Sequence, residues 1–239
     1  MTGAQEKRRM KEFTEKHHAW LVGRFYERLM QECPDRGEAI FVMSTQRYAE
    51  QRGSRMAQRA VRDGKGLNFT TYREYGEWKN TETVKREGCA NAGETTAWSP
   101  DHVEKVYMCP WAAQFKEMGL KKCGTLYCRH VDQSIVRGFN PLLTYEVPQS
   151  MHESGYCLQI SRGADFREGQ VFNKRTEYQK TFDYHCGHCY KTFQEIVTAI
   201  LGEQGERISR SVLQEFGKTY GEEMAAVLLS YQDQDFNLI

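Results

Sequence analysis

The chain has no apolar run of the roughly 18 residues that a membrane-crossing helix needs, so no transmembrane helix is expected. Its first residues, MTGAQEKRRMKEF, are charged but lack an apolar core segment, which excludes a secretory signal peptide and leads us to expect a cytoplasmic protein. It also lacks a basic excess: 33 Lys and Arg stand against 32 Asp and Glu, a net charge of +1. A nucleic-acid binder needs such an excess on some face, so nucleic acid is not expected as the partner. The basic run Lys7–Lys11 is short and falls in a helical pattern, where it reads as a solvated face. No internal repeat and no low-complexity segment is present. The cysteines lack zinc-ribbon spacing, because only Cys186 and Cys189 form a C-x-x-C pair. In a cytoplasmic setting all eight cysteines should be thiols.

What is present is enough for a packed core, with 39% hydrophobic and 12% aromatic residues. Residues 5–32 carry Met10, Phe13, His17, Trp20, Leu21, Phe25 and Leu29 in one helical stripe, followed by Pro34. That stripe holds more aromatic surface than one short neighbour covers, and it predicts a homodimer. A second helix is expected over 37–62, with Gly53, Ala57 and Ala60 forming a small-residue face, and a short third over 68–78. The character then changes. Thr81–Glu87 reads as an exposed strand, Asn91-Ala92-Gly93 as a turn, and 94–98 and 102–109 as further strands. Pro110 opens a helix that Gly119 ends. Residues 176–202 and 206–232 read as two long helices.

The most informative stretch is Cys123–Cys157. Leu126, Tyr127, Val131, Ile135, Val136 and Phe139 have helical spacing, and Asn140-Pro141 ends that helix. Cys128 and Asp132 are four apart and share a face. Two β-like runs follow, 142–147 and 156–161. Helices, then strands, then helices predict an α+β fold: a helical N-terminal region over 1–79, then an α+β region over 80–239 with an antiparallel sheet of four or five strands and the C-terminal helices packed on it. The two regions are expected to form one integrated domain.

This stretch resembles the L-2-amino-thiazoline-4-carboxylic acid hydrolase family. The resemblance rests on GTLYC ending at Cys128, Asp132, GFNP at Gly138–Pro141 and GYC at Gly155–Cys157. It also rests on YAEQRGSRMAQ over Tyr48–Gln58, YGEW over Tyr75–Trp78, CPW over Cys109–Trp111 and HCGH over His185–His188. The helix and hairpin ending in G-Y-C are more loosely similar to vinyl-reductase-type ligand-binding domains. The first resemblance implies hydrolysis of a small cyclic amidine, with ring opening to a carbamoyl-cysteine and a place in cysteine metabolism. The second leaves a non-catalytic small-ligand-binding domain as the alternative, alongside another enzyme of the same scaffold.

Such a hydrolysis needs a nucleophile or a base for water, an acid for the leaving group and a carboxylate for the amidinium, and no redox cofactor. The nucleophile candidates are Cys109, Cys128 and Cys157; Cys157, inside a strand, reads equally as core. Cys109, ahead of Pro110, sits at a helix N-terminus, which favours the thiolate. Asp132 is the carboxylate and His188 the acid or base, although a buried helix histidine satisfied by neighbours is the plain alternative. Tyr127, Tyr75 and Trp78 are candidate walls, Asn140 a candidate donor or turn residue, and Arg52 or Arg55 a candidate carboxylate clamp. His185 sits beside His188 and is taken with the substrate-binding group. No metal is expected. The competing possibility, zinc on the HCGH cluster, needs one or two further ligands from Cys109, Cys128, Cys157 or Asp132.

Overall fold

A computed structural model describes residues 12–239 of the chain. Among these, nine α-helices and one four-stranded antiparallel sheet form the expected α+β architecture. The first helix, α1, spans Glu15–Glu32 and is opened by Thr14, whose N–H donates to His17 Nδ1 at 2.9 Å. It begins later than its stripe suggested, and the expected portion around Met10 lies outside the described residues. Helix α2, Gly37–Arg62, has the expected bounds. Helix α3 is only Phe69–Glu74, capped by Asn68, which accepts from the Thr71 N–H at 3.0 Å.

The segment read as an exposed strand is instead a one-turn helix, α4, Glu82–Arg86. Thr81 decides this: its hydroxyl accepts from the Val84 N–H, and its own N–H and hydroxyl bind the Glu15 carboxylate at 2.9 and 2.7 Å. A cap and a distant anchor override alternating β-like residues. The expected turn at 91–93 is drawn into strand β1, Ala92–Ala97, beside β2, His102–Met108.

Helix α5, Pro110–Glu117, and helix α6, Lys121–Phe139, follow, then strands β3, Tyr145–Gln149, and β4, Cys157–Ser161. The sheet order is β1-β2-β4-β3. In the β2–β4 register Val106 lies opposite Cys157 and His102 opposite Ser161. A polar connection and a short 3-10 turn at Thr176–Tyr178 lead to α7, Phe182–Leu201. The expected final helix is two helices, α8, Glu203–Tyr220, and α9, Glu222–Leu229. They divide at Gly221, whose φ of +116° no helix accommodates.

Helix α6 joins the two halves. It packs along α2 on one side and touches β3 on the other. Helix α7 was expected against the sheet, but its neighbours are α1, α2, α8 and α9. The α1 stripe is covered within the chain, with Phe25 5.2 Å from Phe193 and Trp20 5.6 Å from Phe216, ring centre to ring centre. Burial of each such ring contributes about 1.5–3 kcal/mol. The aromatic surface from which a homodimer was expected is therefore already occupied. All eight cysteines are free thiols, and no helix among the described residues is long and apolar enough to cross a membrane.

Candidate functional site

A cavity of about 610 Å3 opens between α2, α6, the sheet and the start of α5. This size suits a small molecule. Its walls include Trp78, Trp111, Tyr72, Tyr127 and Tyr145, and its outer rim is completed by Lys174 and Gln179 from the connection after β4. Trp78 and Trp111 meet edge to face at 5.3 Å. That rim is fastened at Asp63, which accepts from the hydroxyls of Tyr75 and Tyr178 at 2.9 and 2.7 Å and pairs with Arg175.

Arg52 enters the cavity from α2. It belongs to a row of three arginines spaced along one face, Arg52, Arg55 and Arg59, gathered around the fully buried Glu77. Arg55 binds both Glu77 oxygens, Nε to Oε1 at 3.1 Å and Nη2 to Oε2 at 2.8 Å, and Arg59 Nη1 reaches Oε1 at 2.6 Å. Burial alone would raise the Glu77 carboxyl, but the guanidinium groups win and hold it below its ordinary value. Arg52 is held to Glu77 by charge rather than by a hydrogen bond. Its Nε lies 4.0 Å from Glu77 and makes no hydrogen bond, although the side chain is buried. A buried guanidinium with an unpartnered N–H has unused capacity to pair with a carboxylate.

Asp132 lines the same cavity from α6. Its Oδ2 accepts from Gln159 Nε2 at 3.3 Å. Burial raises its carboxyl to about 6, with Arg52 pulling the other way. A carboxyl poised there can both take and return a proton near neutrality.

The three candidate cysteines all line this cavity, at α5, α6 and β4. None is the low-pKa thiol that the sequence suggested. Cys109 caps α5, and the N–H groups of Trp111 and Ala112 favour its thiolate, yet burial outweighs them and pushes the thiol up to about 12. Burial likewise holds Cys128 well above its ordinary value and raises Cys157, whose Sγ accepts from the Met151 N–H at 3.2 Å. Cys128 has a partner the sequence did not suggest: its Sγ lies 3.5 Å from His152 Nε2, in the β3–β4 connection.

Arg52, Trp78, Cys109, Tyr127, Cys128, Asp132 and Cys157 thus share one cavity. His188, His185 and Asn140 are not among its lining residues. His188 Nε2 is 2.8 Å from Gln51 Oε1 and its Nδ1 is 3.5 Å from Arg55 Nη2. These contacts fit an Nε2–H tautomer that donates to Gln51 and accepts from Arg55. Its ring stacks on Phe236 at 4.1 Å, and burial holds it well below its ordinary pKa, as it does His185. His185 Nε2 meets the Glu77 carbonyl at 3.3 Å. Both histidines therefore brace the arginine cluster from behind. Asn140 donates to the Leu67 carbonyl at 2.7 Å and accepts from the Leu142 N–H at 3.0 Å, tying the end of α6 to the loop after α2. For zinc, no group of three or more His, Cys, Asp or Glu side chains among the described residues is arranged to hold a metal ion.

The cavity thus sets the Asp132 carboxyl and the Arg52 guanidinium among aromatic walls, with the Arg73–Glu104 pair and other polar side chains completing its lining. Residues 14–157, which include Arg52, Asp132 and the three thiols, match the family model described as L-2-amino-thiazoline-4-carboxylic acid hydrolase. The match covers more than half of the chain, and the protein belongs to that family. No curated protein and no solved structure matches it.

Proposed function

We propose that the protein hydrolyses a small cyclic amidine carrying a carboxylate, with 2-aminothiazoline-4-carboxylate as the leading substrate and a carbamoyl-cysteine as product. The observation that carries this is the pairing of Arg52 and Asp132 in one cavity. A zwitterion of this kind needs a cationic clamp at one end and a carboxylate beside its nitrogens at the other. Arg52, which lines the cavity and makes no hydrogen bond through Nε, takes the substrate carboxylate. Asp132, ionised, accepts from the amidinium and from water, and the aromatic walls hold the ring. Addition at C2 gives a tetrahedral carbon, which collapses as a ring bond to C2 breaks. Over the whole reaction the departing atom keeps the electron pair and gains one proton, and the carbon gains the oxygen of water. Water is the only other reactant in this balance.

The test is incubation of the purified protein with 2-aminothiazoline-4-carboxylate, following carbamoyl-cysteine by mass spectrometry and affinity by calorimetry. Ring opening that is lost in both Arg52→Met and Asp132→Asn supports the proposal. Absence of both turnover and binding refutes it. Tight binding without turnover supports instead a ligand-binding domain.

A further inference from the structure

We propose that Cys128 and His152 form a nucleophile–base pair that adds to the amidine carbon, so that ring opening passes through an enzyme-bound adduct. This rests on the ring-opening reaction proposed above. Cys128 faces the cavity from α6, one turn from Asp132 on the same face. His152 is not a lining residue; it reaches the sulfur from outside the wall, with Nε2 3.5 Å from Sγ. That contact has been given room by the chain. A Cβ at Gly124, one turn before Cys128, would fall 2.4 Å from the His152 ring, so a glycine is what lets the imidazole lie against α6. Phe115 meets the same ring edge to face at 5.8 Å and fixes its tilt.

The protonation states suit the arrangement. Burial keeps the thiol protonated at rest and lowers the imidazole from its ordinary value, so a neutral base faces a neutral thiol. As Sγ bonds to C2, the thiol proton passes to His152 Nε2. The C2–sulfur bond of the ring then breaks, and the ring sulfur leaves with its electron pair and takes the proton that His152 received. The product of this half-reaction is an isothiouronium, with Cys128 Sγ joined to the former C2 and both nitrogens retained. Water, losing its proton to Asp132, adds to that carbon. The Cys128–carbon bond breaks, the sulfur regains a proton from Asp132, and an N-carbamoyl-cysteine departs. Substrate plus one water balances the product.

Two measurements test this. In the first, 2-chloroacetamidine, an amidinium that alkylates thiols with loss of chloride, is added to the full chain and the labelled peptides are mapped. Cys128 should react at least about 10-fold faster than Cys109 or Cys157, His152→Ala should remove that preference, and added imidazole should restore it. In the second, Cys128→Ser should lower thiazoline turnover by about 100-fold or more, and acid quenching of the wild type should trap one substrate mass on the Cys128 peptide. Equal labelling of the three thiols, or turnover by Cys128→Ser within about 3-fold of the wild type, overturns the pair while leaving the roles of Arg52 and Asp132 standing. His152-dependent labelling of Cys128 without any turnover of the thiazoline supports the pair and overturns the proposed substrate instead.

Discussion

Gly53 and Gly138 meet backbone to backbone where α2 crosses α6. A Cβ on Gly53 would fall 2.0 Å from the Ile135 carbonyl oxygen and 2.8 Å from the carbonyl carbon of Gly138, and one on Gly138 would fall 2.3 Å from the Glu50 carbonyl oxygen. This contact sets the distance between the two helices that carry Arg52 and Asp132. Gly53→Ala must push the helices apart, because backbone cannot rotate away as a side chain does. It should cost about 1–3 kcal/mol or more, against a helix-propensity gain of about 1 kcal/mol. Urea unfolding measures the loss, and a parallel fall in ligand affinity would trace it to the cavity.

Asp132→Asn should preserve the fold, judged by circular dichroism, and lower turnover by about 100- to 10,000-fold. It also has a signature in stability. Burial raises the Asp132 carboxyl from 3.8 to about 6 in the folded chain. The native state therefore holds the proton more tightly than the unfolded state. This group's contribution falls as pH rises from about 4 to about 6, by at most about 3 kcal/mol, and then levels. Asparagine does not titrate in this range. The stability of Asp132→Asn relative to wild type should therefore rise between pH 4 and 7, as measured by thermal unfolding across that range.

Glu77→Gln leaves Arg55 and Arg59 buried without their counter-charge. Removing one partner from a buried ionic cluster costs about 3–5 kcal/mol. Because Glu77 is buried behind the cavity wall, the effect should appear first in chemical denaturation, with the cavity failing only as the fold does.

With every cavity thiol raised by burial, iodoacetamide at mildly acidic pH should label none of Cys109, Cys128 and Cys157 in the folded protein. Peptide mapping before and after denaturation checks this. Rapid labelling of Cys109 would restore the helix-terminus argument drawn from the sequence.

Where local signals dominate, the sequence was legible. The α2 bounds, the Pro110 start of α5 and the face shared by Cys128 and Asp132 all follow from spacing and capping. Helix α4 was not legible, because its anchor, Glu15, is 66 residues from Thr81. The HCGH motif pointed to chemistry, but which way His188 faces is set by Gln51, Arg55 and Phe236, all remote in sequence. His152 lies in an irregular connection where no period marks a facing direction, and the nearest hint was the small residue Gly124 in the motif that carries Cys128. The thiol acidity failed for a different reason. A helix terminus is visible in sequence, whereas the enclosure that outweighs it is made by the whole fold.

The cavity is assembled from two pieces of chain, one inside the stretch that matches the family and one beyond it. Arg52, Cys128 and Asp132 lie within residues 14–157, whereas Lys174 and Gln179 at the rim lie beyond that stretch. Gln159, which donates to Asp132, lies just beyond that stretch as well, so the far side of the cavity is supplied by chain outside the matched residues. Exchange of the 162–181 connection would alter Lys174 and Gln179 at the rim while leaving Arg52, Cys128 and Asp132 in place.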